Sequence, residues 1–529
     1  MKRFWIIGYF VIVLAVLTFA ASKSIIIDPF FHYHAPDTGH WFYKLDNPRS
    51  QNDGILRHFS YEGIITGSSM TQNYKTSEAE DLFGASFIKV PLQGGTFFEI
   101  NNQLLVAAAS NDKLKIVIRG LDIGKLFDDK DLLRTELGIY PTYLYDKNPF
   151  NDVKYVFNRD VLFSRVFPMM DAEGKPGSKG GITTFDSYSN WMAYYSFGWK
   201  TVLPDGLPDT NIPVQIHLTR EDADTVRSNI RQNVTAIAEL YPDITFYCFF
   251  TPYSAAWWKQ ALAEGKLDRQ IEAERIAIEE ILQHPNIRLY SFSCLFDITT
   301  DLNNYKDTYH YGEWINSLIL SYMKAGKCLL TQGNYMQYLE REQQFYTTFD
   351  YKTLIAQEDY ESDSFAAALL NEKITGTKPY PIDLRTSDNV ELRNASLKTD
   401  PADGRDCLVC TGTLARVSGN DIPITDYMRD KTYIGAKIRI DDATPYRYLA
   451  FRGRKAEDHG QITIRLYNVD GKAIVSRSVH YQKLDREWHR YAFDIRSAEG
   501  PCTLILNGGY IDDTGNPDSQ FIFSDIVLY

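Results

Sequence analysis

Short apolar runs alternate with helical patterns between residues 63 and 119, and this alternation restricts the fold more than any other feature. Strand patterns occur at Ile64–Thr66, Phe87–Val90 and Leu114–Arg119. Helical patterns separate them, near Lys75–Leu82 and Phe97–Ala109. Strands joined through helices need crossover connections, which make the strands parallel and place helices on the faces of the sheet. The sequence therefore predicts an α/β domain built on a parallel sheet.

The same alternation resumes after an interruption over residues 124–215. Strand patterns at Thr245–Phe250 and Ile287–Phe292 each follow a helical pattern. The interruption is rich in Pro, Gly, Asn and aromatic residues, including the stretch Phe185–Trp191. An insertion of this length after a strand can form a lid or a substrate platform, or it can be ordinary packed surface. Both interpretations stay open at this point.

The first 24 residues predict a membrane segment. Lys2 and Arg3 precede an uncharged run, Phe4–Ala21. This run is close to the ~20 residues that a helix needs to span a bilayer, and leading basic residues place the following chain outside the cytoplasm. We expect a single-pass signal anchor over residues 1–24 with a cytoplasmic N-terminus. Cleavage near Thr18–Ala20 would instead release a secreted form.

Residues 381–529 carry short strand patterns at regular spacing, with turns such as Asn468–Gly471 between them. The patterns lie at Tyr433–Ile440, Tyr446–Arg452, Gln461–Tyr467, Ala473–Val479, His489–Ile495, Cys502–Asn507 and Phe521–Leu528. This spacing predicts an antiparallel all-β sandwich. Its strand rhythm resembles that of jelly-roll carbohydrate-binding modules. The preceding residues 346–380 predict a helical segment or a linker.

Charge and composition exclude several classes of function. The net charge of −12 leaves little to neutralise phosphates, so no nucleic-acid partner is expected. Six cysteines, including the C-x-x-C of Cys407 and Cys410, are few for an exported chain and admit one or two disulfides. His32, His34 and His40 lie close together, but no residue at ligand spacing joins them. We interpret them as part of a loop, with metal binding as the alternative, and expect no metal or cofactor.

A serine and a histidine far apart in the chain supply the chemistry. Ser69 follows the first strand in the stretch Gly67-Ser68-Ser69-Met70, at the edge where α/β sheets bind ligands. A serine needs a base to accept its proton, and the stretch Asp307-Thr308-Tyr309-His310 offers one. The pair resembles the SGNH (GDSL-like) hydrolases over residues 25–345. The resemblance implies a flavodoxin-like three-layer α/β/α domain, with Ser69 as nucleophile, His310 as general base and Asp307 orienting the histidine.

The same resemblance implies an oxyanion hole with three donors. The Ser69 N–H is one, and Gly95, or its neighbour Gly94, falls where the family has its glycine. The family's third donor is the asparagine of a Gly-x-Asn motif, but this chain has Gly120-Leu121-Asp122 there. An ionised aspartate donates no hydrogen bond. Either Asp122 is protonated, or it has another role, or the hole has two donors.

Taken together, the resemblance implies an extracytoplasmic serine esterase or O-acyltransferase. The Gly-Ser-Ser form and the anchor are similar to those of membrane-anchored relatives that serve teichoic acid D-alanylation. The added β-sandwich is similar to the architecture of polysaccharide O-acetylation proteins. We expect acyl esters, above all acetyl esters, of a cell-surface glycan or teichoic-acid-like polymer as substrate, and a membrane-bound O-acyltransferase as partner. The alternative is a non-catalytic glycan-binding or assembly protein on the same fold.

Overall fold

The chain folds as two compact units, Met1–Ile355 and Ala356–Tyr529. A computed structural model describes residues 2–134, 141–146, 148–173, 175, 179–208, 213–357, 360, 363–385, 388–400, 404–410, 434–455, 462–479, 486–508 and 521–529. The segment predicted as a linker, 346–380, is divided between the two units.

Five parallel strands form the central sheet of the first unit, in the order β2-β1-β3-β4-β5. They are β1 Gly63–Gly67, β2 Phe87–Pro91, β3 Ile116–Leu121, β4 Thr245–Phe250 and β5 Ile287–Ser291. Ile64 of β1 lies opposite Ile88 of β2 and Val117 of β3. All three side chains are buried, as expected for a sheet that is covered on both faces. The predicted parallel α/β class is confirmed.

Helices cover both faces of this sheet. Right-handed crossovers place the helix that follows β1 on one face and the helices that follow β2, β3 and β4 on the other. The contacts agree, since Thr76–Phe83 packs against Glu313–Lys324, whereas Arg220–Ile230 packs against Leu267–Ile281. The α-helices of this unit are Lys2–Ile27, Pro48–His58, Thr76–Phe83, Phe97–Ser110, Thr142–Tyr145, Val153–Val156, Phe167–Ala172, Trp199–Val202, Arg220–Ile230, Ala236–Leu240, Ala255–Ala263, Leu267–Ile281, Phe296–Thr299, Glu313–Lys324 and Tyr335–Thr348.

The helix Pro48–His58 was not expected from the sequence. Its buried face includes Gln51, Asn52 and Asp53, so it lacks the apolar periodicity by which helices are predicted. A Cβ on its Gly54 would lie 2.3 Å from the carbonyl oxygen of Phe30, so only glycine allows this close approach.

The helix Lys2–Ile27 is long and apolar enough to cross a membrane between Phe4 and Ile27, a property that signal sequences share. Its last turn belongs to the folded unit. Ser24 is fully buried, and its hydroxyl donates a hydrogen bond to the Val156 carbonyl at 2.9 Å. Helical structure thus continues from the apolar run into the α/β unit.

The described residues of the second unit form two antiparallel sheets. One has the order β8-β9-β16-β11-β14 with β6 beside β16, and the other has the order β13-β12-β15-β10-β7. The strands are β6 Tyr380–Pro381, β7 Val390–Arg393, β8 Ala395–Thr399, β9 Asp406–Cys410, β10 Gly435–Ile440, β11 Tyr448–Lys455, β12 Ile462–Asn468, β13 Ala473–Val479, β14 His489–Asp494, β15 Cys502–Asn507 and β16 Phe521–Leu528. The predicted antiparallel β-structure at the C-terminus is confirmed.

Alternate side chains of both sheets form the core of this unit. Ile464 and Leu504 from one sheet pack with Phe451 and Phe523 from the other. The helix Asp363–Thr375 lies in the same unit and packs its Phe365 near Ala450 and Ala492. All six cysteines of the chain are free thiols, so the one or two disulfides that the sequence admits are not formed here.

Candidate active site

Strand β1 delivers Ser69 to the carboxyl edge of the sheet. Gly67 ends β1 with a φ of 150°, and a Cβ there would lie 2.7 Å from Thr71 Cγ2. Glycine therefore allows the chain to turn at once into the 3-10 segment Ser69–Thr71. The buried hydroxyl of Ser68 accepts a hydrogen bond from the Met70 N–H at 3.3 Å and caps this segment. Ser69, which is only partly buried, is left facing the cleft.

The loop that carries Asp307 and His310 is fixed to the tip of the sheet. Just after β4, the backbone N–H and the hydroxyl of Ser254 donate to the Thr308 carbonyl at 3.1 and 3.0 Å. Within the loop, Asp307 Oδ1 accepts the N–H groups of Tyr309 and His310 at 2.9 and 2.8 Å. Both side chains are therefore oriented before any ligand binds.

Three of the predicted site residues meet in one chain of hydrogen bonds. Ser69 Oγ lies 2.8 Å from His310 Nε2, although 241 positions separate the two residues. On the other side of the ring, His310 Nδ1 lies 3.0 and 2.8 Å from the two oxygens of Asp307. An ionised carboxylate only accepts hydrogen bonds, so it fixes the neutral ring with its proton on Nδ1. Nε2 is then free to accept the Ser69 proton.

Asp307 is held in its ionised form. Burial raises the pKa of this carboxyl, but the hydrogen bond and the charge of His310, with a hydrogen bond from Lys306, outweigh it and leave the pKa well below its usual range. Lys306 Nζ lies 2.6 Å from Asp307 Oδ2. The same ammonium lies 4.3 Å from the ring centroid of Tyr195, within cation–π range.

The cleft beside Ser69 has a volume of about 490 Å³, within the usual range of small-molecule sites. Its lining includes His310, Gln93, Gly94 and several residues of the 124–215 insertion, namely Arg134, Ser189, Trp191, Tyr194 and Tyr195. The insertion therefore forms a wall of the cleft. This position matches the platform interpretation of the insertion better than the interpretation as ordinary surface.

Trp191 of the insertion touches both halves of the Ser–His pair. Its indole Nε1 donates to the Ser69 carbonyl at 3.5 Å, and its backbone N–H donates to Asn73 Oδ1 at 3.1 Å. Its ring meets the His310 ring edge-on, with 5.8 Å between centroids. Trp191 thus holds the insertion against the nucleophile turn and shields one side of the imidazole.

The two candidate oxyanion glycines differ in their amides. The Gly95 N–H donates to the Leu92 carbonyl at 2.7 Å, so it is already used in a turn. Gly94 has a φ of 65° and lines the cleft, and no described residue accepts a hydrogen bond from its N–H. Ser69 is the first residue of its 3-10 segment, so its N–H has no partner within that segment. The structure therefore favours Gly94 over Gly95 as the second donor.

Asp122 does not line the Ser69 cleft. It is buried at the end of β3, where Oδ2 lies 3.5 Å from Lys125 Nζ and Oδ1 accepts a hydrogen bond from the Thr251 hydroxyl at 3.5 Å. Lys125 in turn donates to the Gly95 carbonyl. Of the three alternatives for Asp122, this placement fits a structural role that ties the end of β3 to the loop after β2.

The three N-terminal histidines do not line this cleft, and their rings bond to different partners. His32 contacts Asp152 at 3.2 Å, His40 contacts Asp37 at 2.6 Å, and His34 bonds to backbone carbonyl oxygens. Within the described residues, no group of three His, Cys, Asp or Glu side chains could hold a metal ion.

Sequence reasoning did not single out Lys89, Lys306 or Tyr194. Lys89 Nζ donates to the carbonyls of Gln72 and Tyr74 at 2.6 and 2.8 Å, just beyond the nucleophile turn. Burial lowers the pKa of this lysine to about 7. A lysine inside an otherwise apolar strand pattern is unusual. It could have indicated that Lys89 is buried and supports the backbone beyond the nucleophile turn. Tyr194 lies three residues after Trp191 in the aromatic-rich insertion, and no motif marks it.

No protein-family model matches the sequence, and no curated protein is similar to it. Solved structures with partial likeness include a family two carbohydrate esterase from Cellvibrio japonicus, with 10% identity, a TM-score of 0.18, and 28% of this chain and 33% of that chain covered. This chain thus matches about a third of that esterase.

Two carbohydrate-binding modules show similar values. The CBM36-1 domain of a xylanase from the hindgut metagenome of Trinervitermes trinervoides has 10% identity and a TM-score of 0.19, with 28% of this chain and 95% of that chain covered. The C-terminal CBM6 of a laminarinase from Zobellia galactanivorans has 10% identity and a TM-score of 0.18, with 28% and 98% covered. Likenesses this weak carry no argument about function.

Proposed function

We propose that this protein is an SGNH-type serine esterase or O-acyltransferase that acts on acyl esters, above all acetyl esters, of a cell-surface glycan or teichoic-acid-like polymer. The observation that carries the proposal is the Ser69–His310–Asp307 chain, with 2.8 Å between Ser69 Oγ and His310 Nε2. In this arrangement a serine can lose its proton as it attacks, which an isolated hydroxyl does not do at neutral pH.

The geometry supports a two-step acyl transfer. Ser69 Oγ attacks the acyl carbonyl carbon while His310 Nε2 takes the hydroxyl proton, and Asp307 stabilises the imidazolium that forms. The developing oxyanion would lie near the N–H groups of Ser69 and Gly94. Collapse expels the alcohol, which takes the proton from His310, and leaves the acyl group on Ser69. Water or a sugar hydroxyl, deprotonated by His310, then attacks the acyl-enzyme and frees Ser69.

The surroundings of Ser69 support a polymer at the cell surface as substrate. Aromatic side chains of Trp191, Tyr194 and Tyr195 line the cleft, and flat amphipathic rings suit the faces of sugars. The helix between Phe4 and Ile27 would keep the cleft near a membrane. A membrane-bound O-acyltransferase would then be the natural source of acyl groups for the transferase form of the reaction.

A fluorophosphonate probe tests the nucleophile directly. We expect the full-length protein in detergent micelles to be labelled, and Ser69→Ala to remove the label. Ser110→Ala is the matched control, because Ser110 is exposed and does not line the cleft, so Ser69 should stay reactive. Release of acetate from an acetylated oligosaccharide, compared with transfer to an unacetylated one, separates esterase from transferase.

The alternative function is a non-catalytic glycan-binding or assembly protein. The observation that favours it is the position of Asp122, which leaves two amide donors where the family has three. Absence of labelling in the wild-type protein, with binding of glycans retained, would favour this alternative over the enzyme.

A further inference from the structure

A second cleft adjoins the Ser69 cleft and shares a wall with it. Its volume is about 610 Å³, and five residues line both clefts: Gln72, Gln93, Ser189, Trp191 and Tyr194. Each cleft alone is within the ~300–1,000 Å³ of small-molecule sites. A chain-like ligand whose acyl ester reached Ser69 could therefore continue into the second cleft without leaving the surface.

The second cleft presents polar groups that are fixed in place. Arg49 donates to Glu99 Oε1 at 3.3 Å and to the Gln93 carbonyl at 3.4 Å. Asn190 donates to Glu313 Oε2 at 3.2 Å. Side chains held in this way lose little conformational freedom when a ligand binds, so the polar surface of the cleft is pre-organised.

The shared wall also presents an aromatic ring to solvent. Tyr194 is 80% exposed although its ring is large and apolar. An exposed ring beside fixed polar groups is the pattern by which proteins bind sugars, since the ring stacks on the C–H face while polar groups bind hydroxyls. A lipid chain would need a continuous apolar lining, which the second cleft does not offer. Its lining includes the charged or polar side chains of Lys44, Asp46 and Asn47.

We propose that the second cleft is a glycan subsite, which binds a sugar unit next to the unit esterified at Ser69. The preferred ligand is then an oligosaccharide of at least two units rather than the ester of a single sugar. This inference rests on the proposed function for the identity of the neighbouring group, but it concerns binding and does not need turnover.

The test measures how affinity depends on ligand length. Full-length Ser69→Ala protein in detergent micelles is titrated with mono- to hexasaccharides of a neutral series, the cello-oligosaccharides, and of an acidic series, the oligogalacturonates. Tryptophan fluorescence is the readout, because Trp191 lies in the shared wall. We expect affinity to rise at least tenfold between the mono- and the trisaccharide in one of the two series.

A variant that blocks the second cleft tests whether the gain in affinity with ligand length arises there. Ser187 lines the second cleft but not the first, and it is exposed. Ser187→Phe fills the second cleft and should remove the gain with length while leaving monosaccharide affinity within threefold. Ser110→Phe, at an exposed serine outside both clefts, is the matched control and should keep the gain. Circular dichroism checks that both variants are folded.

The outcomes separate this inference from the proposed function. If neither series shows a gain with length, or if Ser187→Phe keeps it, the glycan subsite is wrong. If wild-type Ser69 is not labelled by fluorophosphonate but the gain is present and is lost in Ser187→Phe, the subsite stands and the catalytic proposal fails.

Discussion

A single carboxylate, Asp307, and a pair of carboxylates, Glu274 and Glu342, have opposite surroundings in the first unit. Asp307 accepts hydrogen bonds from two backbone amides, from the His310 ring and from Lys306. Glu274 and Glu342 lie on the packed helices Leu267–Ile281 and Tyr335–Thr348, and both are fully buried. Glu274 Oε1 accepts from Gln270 at 3.2 Å, but Oε2 has no partner among the described residues.

This difference moves the pKa values in opposite directions. Burial raises the pKa of Glu342 to about 8, and burial together with the charge of Glu342 raises the pKa of Glu274 well above its usual range. Burial acts on Asp307 too, yet its donors keep it ionised. All three carboxyl groups experience burial, so burial does not explain the difference. Hydrogen-bond donors keep Asp307 ionised and suited to orient a base, whereas Glu274 and Glu342 stay protonated.

The largest expected effect breaks the Ser69–His310 link. His310→Gln removes the proton acceptor of Ser69 while keeping a polar side chain, so hydrolysis of p-nitrophenyl acetate should fall by about 10⁴-fold or more. The control is His284→Gln. His284 contacts Glu239 and does not line the Ser69 cleft, so this variant should keep the rate. An unchanged rate in His310→Gln would contradict the proposed role of His310 as the general base.

The next effect tests Asp307, the ionised carboxylate of the comparison. Asp307→Asn removes the charge that stabilises the imidazolium and lets the wrong tautomer of His310 form, so kcat should fall by about 10⁴-fold. Stopped-flow hydrolysis of the same ester measures it. Asp112→Asn, at an exposed carboxylate, should change nothing. A loss of less than tenfold for Asp307→Asn would show that the charge of Asp307 is not needed.

The third prediction tests the protonated pair, Glu274 and Glu342. Both glutamates have folded pKa values above the unfolded value near 4.5, so the folded state holds more protons and stability falls as pH rises from about 4.5 to 8. Glu342→Gln removes one of these protonations. It should raise the free energy of unfolding at pH 8 by on the order of 3 kcal/mol. It should also make the decrease of stability between pH 4.5 and pH 8 less steep.

Urea unfolding of the full-length protein in detergent micelles, followed by tryptophan fluorescence, measures this effect. All tryptophans but Trp488 lie in the first unit, so the signal reports mainly on that unit. Glu279→Gln, on the same helix as Glu274 but paired with Arg275 at the surface, is the control and should leave the pH dependence intact. A Glu342→Gln protein that is less stable at pH 8 would contradict the prediction.

The smallest expected effect concerns Asp122, a buried carboxylate that does not line the Ser69 cleft. Asp122→Asn creates the Gly-x-Asn motif of the SGNH hydrolases that the sequence resembles, but the side chain contacts Lys125 and Thr251 rather than the cleft. We therefore expect kcat/KM for p-nitrophenyl acetate to stay within threefold of the wild-type value. A tenfold gain would show that an asparagine here reaches the oxyanion and that Asp122 does more than tie two loops together.

Much of the first unit could be predicted because its strands are apolar and its helices amphipathic. The pattern Thr245–Phe250 coincides with β4. The helical pattern near Lys75–Leu82 corresponds to the helix Thr76–Phe83, which Gly84 caps in the left-handed conformation. The helix Pro48–His58 escaped because its buried face is polar. In the second unit, β7, β8 and β9 were not expected, although three later strands, β13, β15 and β16, were predicted with correct bounds.

The candidate site divides in the same way. Ser69, Asp307 and His310 could be proposed from sequence because each lies in a short motif. The part of the cleft wall formed by Trp191 and Tyr194 could not be predicted, because no local sequence pattern indicates which loop an insertion packs against.

The sequence alone determined the α/β class, the β-rich C-terminus, the apolar N-terminal helix and the residue types able to perform acyl transfer. These features depend on the spacing of side chains along a helix or strand, which is local. Only the tertiary structure decided that Gly94 rather than Gly95 offers its amide, that Asp122 is tied to Lys125, and that two clefts share one wall. Those facts depend on contacts between residues distant in the chain, which a periodic pattern does not encode.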